Sequence, residues 1–280
     1  MIVLTAIKIG KTFSIGASFV IAFLAMFALG LAQAFGLLMF SLLAHEAAHF
    51  VMAKIFRVQV EGIKLSALGA AARVRNIESI RLWKRYLLYL SGPAANAFIA
   101  MPALAAGMVY PWYLDILYEL AMINIVLCVF NLLPAFPLDG GRICQNFLCN
   151  RIGLIRANRI ILRLGRALGI VLTLFGLVQM ILFPYNFTLL LAGVFLRRRA
   201  NDMGPALTLE AMRALEAKNA QPSRPLPVKL IIFRKNVPPY KAVEYLGLDF
   251  WGVFQIEDRM PVTEWELLHW INALLALEQQ

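Results

Sequence analysis

Leu43-Ala44-His45-Glu46-Ala47-Ala48-His49-Phe50 places an HExxH pattern inside one of the most apolar stretches of the chain. Two of the three histidines, and the only acidic residue before position 61, fall within these five positions. On a helix, positions i and i+4 share a face with their Cβ atoms about 5–6 Å apart. His45 and His49 can therefore ligate one metal ion while Glu46 flanks it as a general base. Zinc is the metal such a pattern most often takes, and a hydrolase set in a membrane is the reading from these residues.

The surrounding composition fixes the environment. Of 280 residues, 61% are hydrophobic and 15% charged, against about 45–50% apolar and about 25% charged in soluble domains. Such a chain is a mainly α, polytopic membrane protein. The net charge of +11 is unevenly spread: residues 1–200 carry 19 Lys/Arg and 6 Asp/Glu, whereas residues 201–280 carry 8 and 10. The basicity thus belongs to loops flanking membrane segments, as the positive-inside rule requires, and nucleic acid is excluded as a partner. Cys128, Cys144 and Cys149 are odd in number and show no CxxC spacing, so no disulfide framework is expected. Lys8 and Lys11 precede an apolar run with no small-residue cleavage signature, which reads as an uncleaved first span.

Residues 13–53 number 41, twice the roughly 20 needed for one crossing. The expectation is a hairpin of two helices broken near Gly30, Gln33 and Gly36, with the HExxH cluster toward the far end of the second. Residues 58–77 alternate with period two and predict short strands or a hairpin, whose edge could accept an extended peptide. A third span is expected over 86–109, carrying Pro93 and Asn96, and a fourth over about 114–133. Residues 131–142, with two prolines and two glycines before and after Asp139, cannot continue that helix. Non-helical backbone at membrane depth occurs only where it is buried in protein or lines a cavity. An arginine-rich connection over 142–166 and a final hairpin over 167–183 and 186–196 complete about six spans. With the basic residues on one face, both termini lie in the cytoplasm of a bacterial inner or cell membrane.

A catalytic zinc wants three protein ligands and one open position. His45 and His49 supply two, and Asp139 is the best third from its broken segment and its side of the membrane. Cys128, Glu119, Cys144 and His269 are weaker candidates. A charged residue at a helix centre costs about 2.5–3.5 kcal/mol on insertion scales, a cost that metal binding would offset. Asn131 or Asn96 could hold an unfolded substrate backbone. A metal transporter or a noncatalytic membrane scaffold built on the same polar cluster is the alternative.

The chain divides into a membrane domain (1–200), a helix and proline-rich linker (201–227) and a small cytoplasmic α+β domain (228–280). Strands are expected at 228–233 and 251–256, and helices at 205–218, 239–246 and 263–277. The last of these opens with the capping box Thr263-x-x-Glu266.

His45-Glu46-x-x-His49, Gly92-Pro93-x-x-Asn96 and Asn131-x-x-Pro134 with Asp139-Gly140-Gly141 together resemble the site-2 protease family of intramembrane zinc metalloproteases. The resemblance implies a zinc metalloendopeptidase that cleaves a membrane-tethered protein near the cytoplasmic face, such as a sigma-factor or other transcription-factor precursor. It implies His45, His49 and Asp139 as zinc ligands, Glu46 as base and Asn131 near the substrate path. The outline is similar to the subgroup containing the bacterial stage IV sporulation protease, where the tail is a CBS domain, and residues 236–268 resemble one abbreviated CBS repeat. That likeness leaves open a nucleotide at the tail, a membrane regulator or inhibitor protein, and a homo-oligomer.

Overall fold

The computed structural model describes residues 6–9, 13–16, 27–28, 30–58, 60–66, 69–74, 80–182, 187–219, 226–233, 239–256 and 260–269. It divides into two compact units, Met1–Leu133 and Pro134–Gln280.

The first unit begins with strands β1 (Ala6–Ile9) and β2 (Phe13–Gly16), followed by helix α1 (Ala32–Ile55). Strands β3 (Val60–Ser66) and β4 (Gly69–Val74), helix α2 (Leu82–Val109) and helix α3 (Leu114–Asn131) complete it. The sheet order is β1-β2-β3-β4; β2 runs parallel to β3, and the other neighbours are antiparallel. The strands expected over 58–77 are thus present as β3 and β4. The helical hairpin expected over 13–53 is corrected at its start, because Phe13–Gly16 is a strand. Phe13-Ser14-Ile15-Gly16 alternates apolar and small or polar residues, a period that suits a pleated strand, and its backbone pairs on both sides. Residues 17–26 of the expected first span lie outside the described residues. The break falls at Gly30, which adopts φ +75°; Gln33 and Gly36 are already inside α1.

Helices α1, α2 and α3 pack on one another and turn large apolar side chains outward, Phe40, Phe98, Met101, Val126 and Val129 among them. Such an outer surface matches lipid. Pro93 and Pro102 both sit within α2, whose helical run continues through them.

The second unit opens with non-helical residues 134–138 and then α4 (Asp139–Ile152), α5 (Leu154–Leu182), α6 (Thr188–Asp202) and α7 (Gly204–Asn219). The connection expected over 142–166 is therefore helix, divided at Gly153, whose φ of +91° ends α4 in a conformation that only glycine adopts cheaply. A Cβ there would also strike the backbone of Glu244 and Tyr245. The piece expected at 186–196 is a 15-residue helix that runs on through Arg197, Arg198 and Arg199. Among the described residues, four helices are long and apolar enough to cross a membrane: α1, α2, α3 and α5.

The tail supplies β5 (Val228–Phe233), a 3-10 turn (Pro239–Tyr245), β6 (Trp251–Ile256) and β7 (Val262–Thr263). β5 and β6 are parallel, β6 and β7 antiparallel. Both longer strands fall where the sequence predicts them; the expected helix at 239–246 winds as 3-10. The expected capping box forms: the Thr263 amide and hydroxyl both donate to Glu266 Oε2 at 2.7 and 2.8 Å, and the Glu266 amide returns to Thr263 Oγ1 at 3.4 Å. Phe233, Leu246, Phe254 and Leu267 share one core with Cys149 of α4, Leu154 and Ala157 of α5, and Ala211 and Leu215 of α7.

Candidate metal centre

Ser41, His45 and His49 recur every four residues along α1 and so form one stripe, which faces α2 and α3. His45 is only 4% exposed, and Ser41, Asn96 and Asn124 are wholly buried. Polar groups withdrawn from water in this way must find partners or cost several kcal/mol each.

Each imidazole uses its Nδ1 on an oxygen. His45 Nδ1 lies 2.6 Å from Asn96 Oδ1, and His49 Nδ1 lies 2.8 Å from the Leu88 carbonyl. A carbonyl oxygen only accepts, so both Nδ1 atoms carry the proton and both Nε2 atoms present a lone pair. Ser91 reinforces this at His49: its hydroxyl donates to Leu88 O at 2.7 Å and accepts from His49 Nδ1 at 3.2 Å. The two Nε2 atoms face each other at 3.2 Å, with the rings edge to face.

Two lone pairs directed at one another repel unless a cation lies between them. Nitrogens bound about 2.0–2.1 Å from a tetrahedral zinc ion sit about 3.3 Å apart, so the pair fits zinc. Imidazoles that donate their second nitrogen to an oxygen are also the arrangement metal sites use to fix ligand orientation.

Gly92 makes room for this. A Cβ on it would lie 2.6 Å from both Cε1 and Nε2 of His45 and would collide with His49 Nε2. The motif residue is a glycine because the α2 backbone closes directly over the two Nε2 atoms. Glu46, next to His45, is half-buried.

Asn96, expected on the substrate path, instead has both ends of its amide engaged: Oδ1 on His45, Nδ2 donating to Asn124 Oδ1 at 2.8 Å and to the Ser41 carbonyl at 3.3 Å. Asn131 is half-buried at the end of α3, with Nδ2 donating to Leu127 O at 3.0 Å. Ser41, Ser91 and Asn124 escaped the sequence reading. An amide in mid-span at Asn124, and a serine one turn before His45, were the available signals.

In the second unit, Asp139 is the first residue of α4, where a carboxylate complements the helix dipole. The turn before it is held by the Leu138 amide donating to Ala135 O at 2.9 Å and by the buried Phe136 ring, which the Arg142 guanidinium covers at 5.0 Å.

Four apolar helices and a paired-histidine centre define the class: an α-helical integral membrane protein with a helix that bears the HExxH pattern and buries His45. The model of peptidase family M50 matches residues 32–114 and 112–172, half of the sequence, and the chain belongs to that family. It is 29% identical over 196 residues to a zinc metalloprotease of Methanocaldococcus jannaschii, covering 69% of this chain and 56% of that protein. To Rip3 of Mycobacterium tuberculosis it is 34% identical over 152 residues, 52% of this chain and 38% of that one. The chain thus spans little more than half the length of the first relative and less of the second. Its fold is similar to the solved site-2 protease from Methanocaldococcus jannaschii, with TM-score 0.57 and 27% identity over 71% of this chain and 95% of that one.

Proposed function

We propose that this chain is an intramembrane zinc metalloendopeptidase acting on a membrane-tethered protein, with a transcription-factor precursor such as a sigma factor as the substrate class. The observation that carries the reading is the approach of the two Nε2 atoms to 3.2 Å, with each Nδ1 set on an oxygen, in a helix that also bears Glu46. His45, His49 and Asp139 would hold the zinc, which when bound polarises water and the scissile carbonyl. Glu46 accepts a proton from water and returns it to the leaving amine. Asn131 is carried forward as the residue on the substrate path, while Asn96 is assigned to His45.

The charge distribution supports about six spans with both termini cytoplasmic, and hence release of the substrate's cytoplasmic part. The tail, with its strand, 3-10 turn, parallel strand, antiparallel strand and helical residues 264–269, supports a CBS-like module that takes a nucleotide, a regulator protein or a second copy of the chain. Family membership and the named relatives support the protease class.

Co-expression with a membrane-tethered precursor tests the function. The wild type yields a cleaved product, and Glu46→Gln and Asp139→Asn yield none while remaining in the membrane at wild-type level. Full cleavage by Glu46→Gln would sink the proposal, and zinc flux into vesicles without cleavage would point to a transporter.

A further inference from the structure

We infer that Asn124, on a different helix from the histidines, is a positioning residue that sets which nitrogen of His45 faces the metal. The inference rests on the reading of His45 and His49 as metal ligands and adds a determinant that neither histidine motif contains.

The directions of the hydrogen bonds carry the argument, because only one assignment satisfies all of them. At the start of the chain stand acceptors that cannot reverse: the backbone carbonyls of Leu37 and Leu120. Ser41 Oγ donates to Leu37 O at 2.8 Å, so its lone pairs remain to accept. Asn124 faces both Leu120 O and Ser41 Oγ at 2.8 Å with one end of its amide. Two acceptors demand that this end be the NH2 group. Its Oδ1 is thereby turned toward Asn96 and accepts from Asn96 Nδ2 at 2.8 Å.

Asn96 Nδ2 meets a second irreversible acceptor in the Ser41 carbonyl at 3.3 Å, so the Asn96 amide is fixed as well. Its Oδ1 then lies 2.6 Å from His45 Nδ1, which must carry hydrogen. The lone pair of His45 is thereby placed on Nε2, on the side that faces His49 Nε2. Reversing Asn96 would set an NH2 against His45 Nδ1, move the lone pair to Nδ1 and remove it from the metal side. What opposes the reversal is Asn124 at 2.8 Å, together with the longer bond to the Ser41 carbonyl.

The enclosure makes this relay strong. Ser41, Asn96 and Asn124 are fully buried, so no water can substitute for a lost partner, and an unpaired amide in such a place is expensive. Each side chain comes from a different helix of the first unit, α1, α2 and α3, so the relay reports the packing of all three to one ring nitrogen. Outer-shell partners of metal-ligating histidines typically change metal affinity by 10–100-fold; Asn124 stands one residue further out but controls the partner's direction.

The test uses full-length protein in detergent micelles, labelled with 15N on its three histidines, with His45→Ala and His49→Ala to assign the signals. On zinc-free protein at mildly alkaline pH, where free imidazole is neutral, the nitrogen shifts report the tautomer directly. The wild type is expected to show His45 with hydrogen on Nδ1 alone. Asn124→Leu, close in volume but without polar atoms, is expected to show mixed tautomers and about 10-fold weaker zinc binding by chelator competition. Asn124→Gln, which keeps an amide acceptor and an NH2 donor at every pH, is expected to restore the single tautomer and most of the affinity.

Thermal unfolding separates a structural role, because Asn124→Gln and Asn124→Leu would then follow stability and leave the tautomer alone. A single wild-type tautomer and unchanged zinc affinity in Asn124→Leu would overturn the inference. Absence of zinc binding in the wild type would overturn the metal reading instead, and the nitrogen shifts would still decide whether Asn124 directs His45.

Discussion

The amide chain behind His45 and the ion pair of Lys218 with Glu264 are both withdrawn from water, yet the first is built of amides and a hydroxyl and the second of an amine and a carboxyl group. Among the apolar helices of the first unit, Ser41, Asn96 and Asn124 satisfy one another and three backbone carbonyls without any ion. In the second unit, Lys218 Nζ lies 2.7 Å from both carboxylate oxygens of Glu264 and donates to the carbonyls of Gly247 and Phe250 at 2.8 and 2.7 Å. Glu264 also accepts from the Gly252 amide at 3.0 Å. Amides distinguish donor from acceptor at each end and so transmit direction; an ammonium and a carboxylate attract from any side and so fasten. The first cluster suits a site that must present one particular nitrogen, the second a joint between α7 and the tail.

The largest effect should come from filling the space over the histidines. Gly92→Ala places a methyl group where both imidazoles now stand, and α2 cannot retreat without opening the contacts of Asn96 and Leu88. Zinc affinity should fall by more than the about 100-fold upper range of outer-shell losses, measured by chelator competition on purified protein. Wild-type zinc binding by Gly92→Ala would show that the helices separate easily and that the amide chain is not a tight assembly.

Next in size is the ion pair. Lys218→Met leaves the Glu264 carboxylate buried without its partner and should cost about 3–5 kcal/mol. The double replacement Lys218→Met with Glu264→Leu should recover most of that, since a well-packed apolar pair is often as stable as a buried ionic one. Burial pushes the Lys218 ammonium below the ordinary lysine range, with the Glu264 charge opposing, so desolvation is the dominant cost at this joint. Hydrogen exchange in β5 and β6 reads both variants. A double variant no better than the single would mean that the pair attracts more than it costs to bury.

Much of this was legible in the sequence, and what was not has identifiable causes. The two histidines and the glutamate announced themselves because ionisable groups are costly among apolar residues. The tail strands read correctly because Val228–Phe233 and Trp251–Ile256 are β-branched and aromatic runs between proline and glycine signals. The first strands misled because Phe13–Gly16 adjoins a long apolar stretch, and hydropathy alone does not tell a four-residue strand from the start of a span. Asn124 was passed over because single asparagines in a helix carry no spacing pattern; its meaning depends on Ser41 and Asn96 being brought to it by packing. One motif position cannot show which way the Asn96 amide turns, so its contact with His45 is visible only in the structure.

A smaller effect should separate the members of the neutral cluster. Ser41→Ala removes one acceptor from Asn124 but leaves Leu120 O and Asn96 in place. The expected cost is about 1 kcal/mol in stability, with His45 keeping its tautomer. A larger loss of zinc affinity in Ser41→Ala than in Asn124→Leu would place the control of direction at the serine.

The smallest effect lies at the rim of the second unit and depends on pH. Glu244, in the 3-10 turn of the tail, receives Arg159 Nη2 at 2.9 Å and Arg156 Nε at 3.2 Å from α5. Its carboxyl is held below the ordinary glutamate range first by the hydrogen bond from Arg159; burial opposes this next, and the hydrogen bond from Arg156 adds to the depression. A carboxylate with a depressed folded-state pKa stabilises the fold fully above its unfolded value of 4.5 and ceases to do so as pH falls through the lower folded value. Arg156 and Arg159 are partly exposed, so the pair is screened and contributes about 0.2–1 kcal/mol. Glu244→Gln should therefore lower tail stability slightly at neutral pH and in low salt, and the difference from wild type should vanish below the folded pKa or in high salt. Thermal unfolding across pH checks this. A Glu244→Gln deficit that persists in acid would assign its contribution to the Arg156 guanidinium packed 3.6 Å from the Tyr245 ring, a contact that does not titrate with the carboxylate.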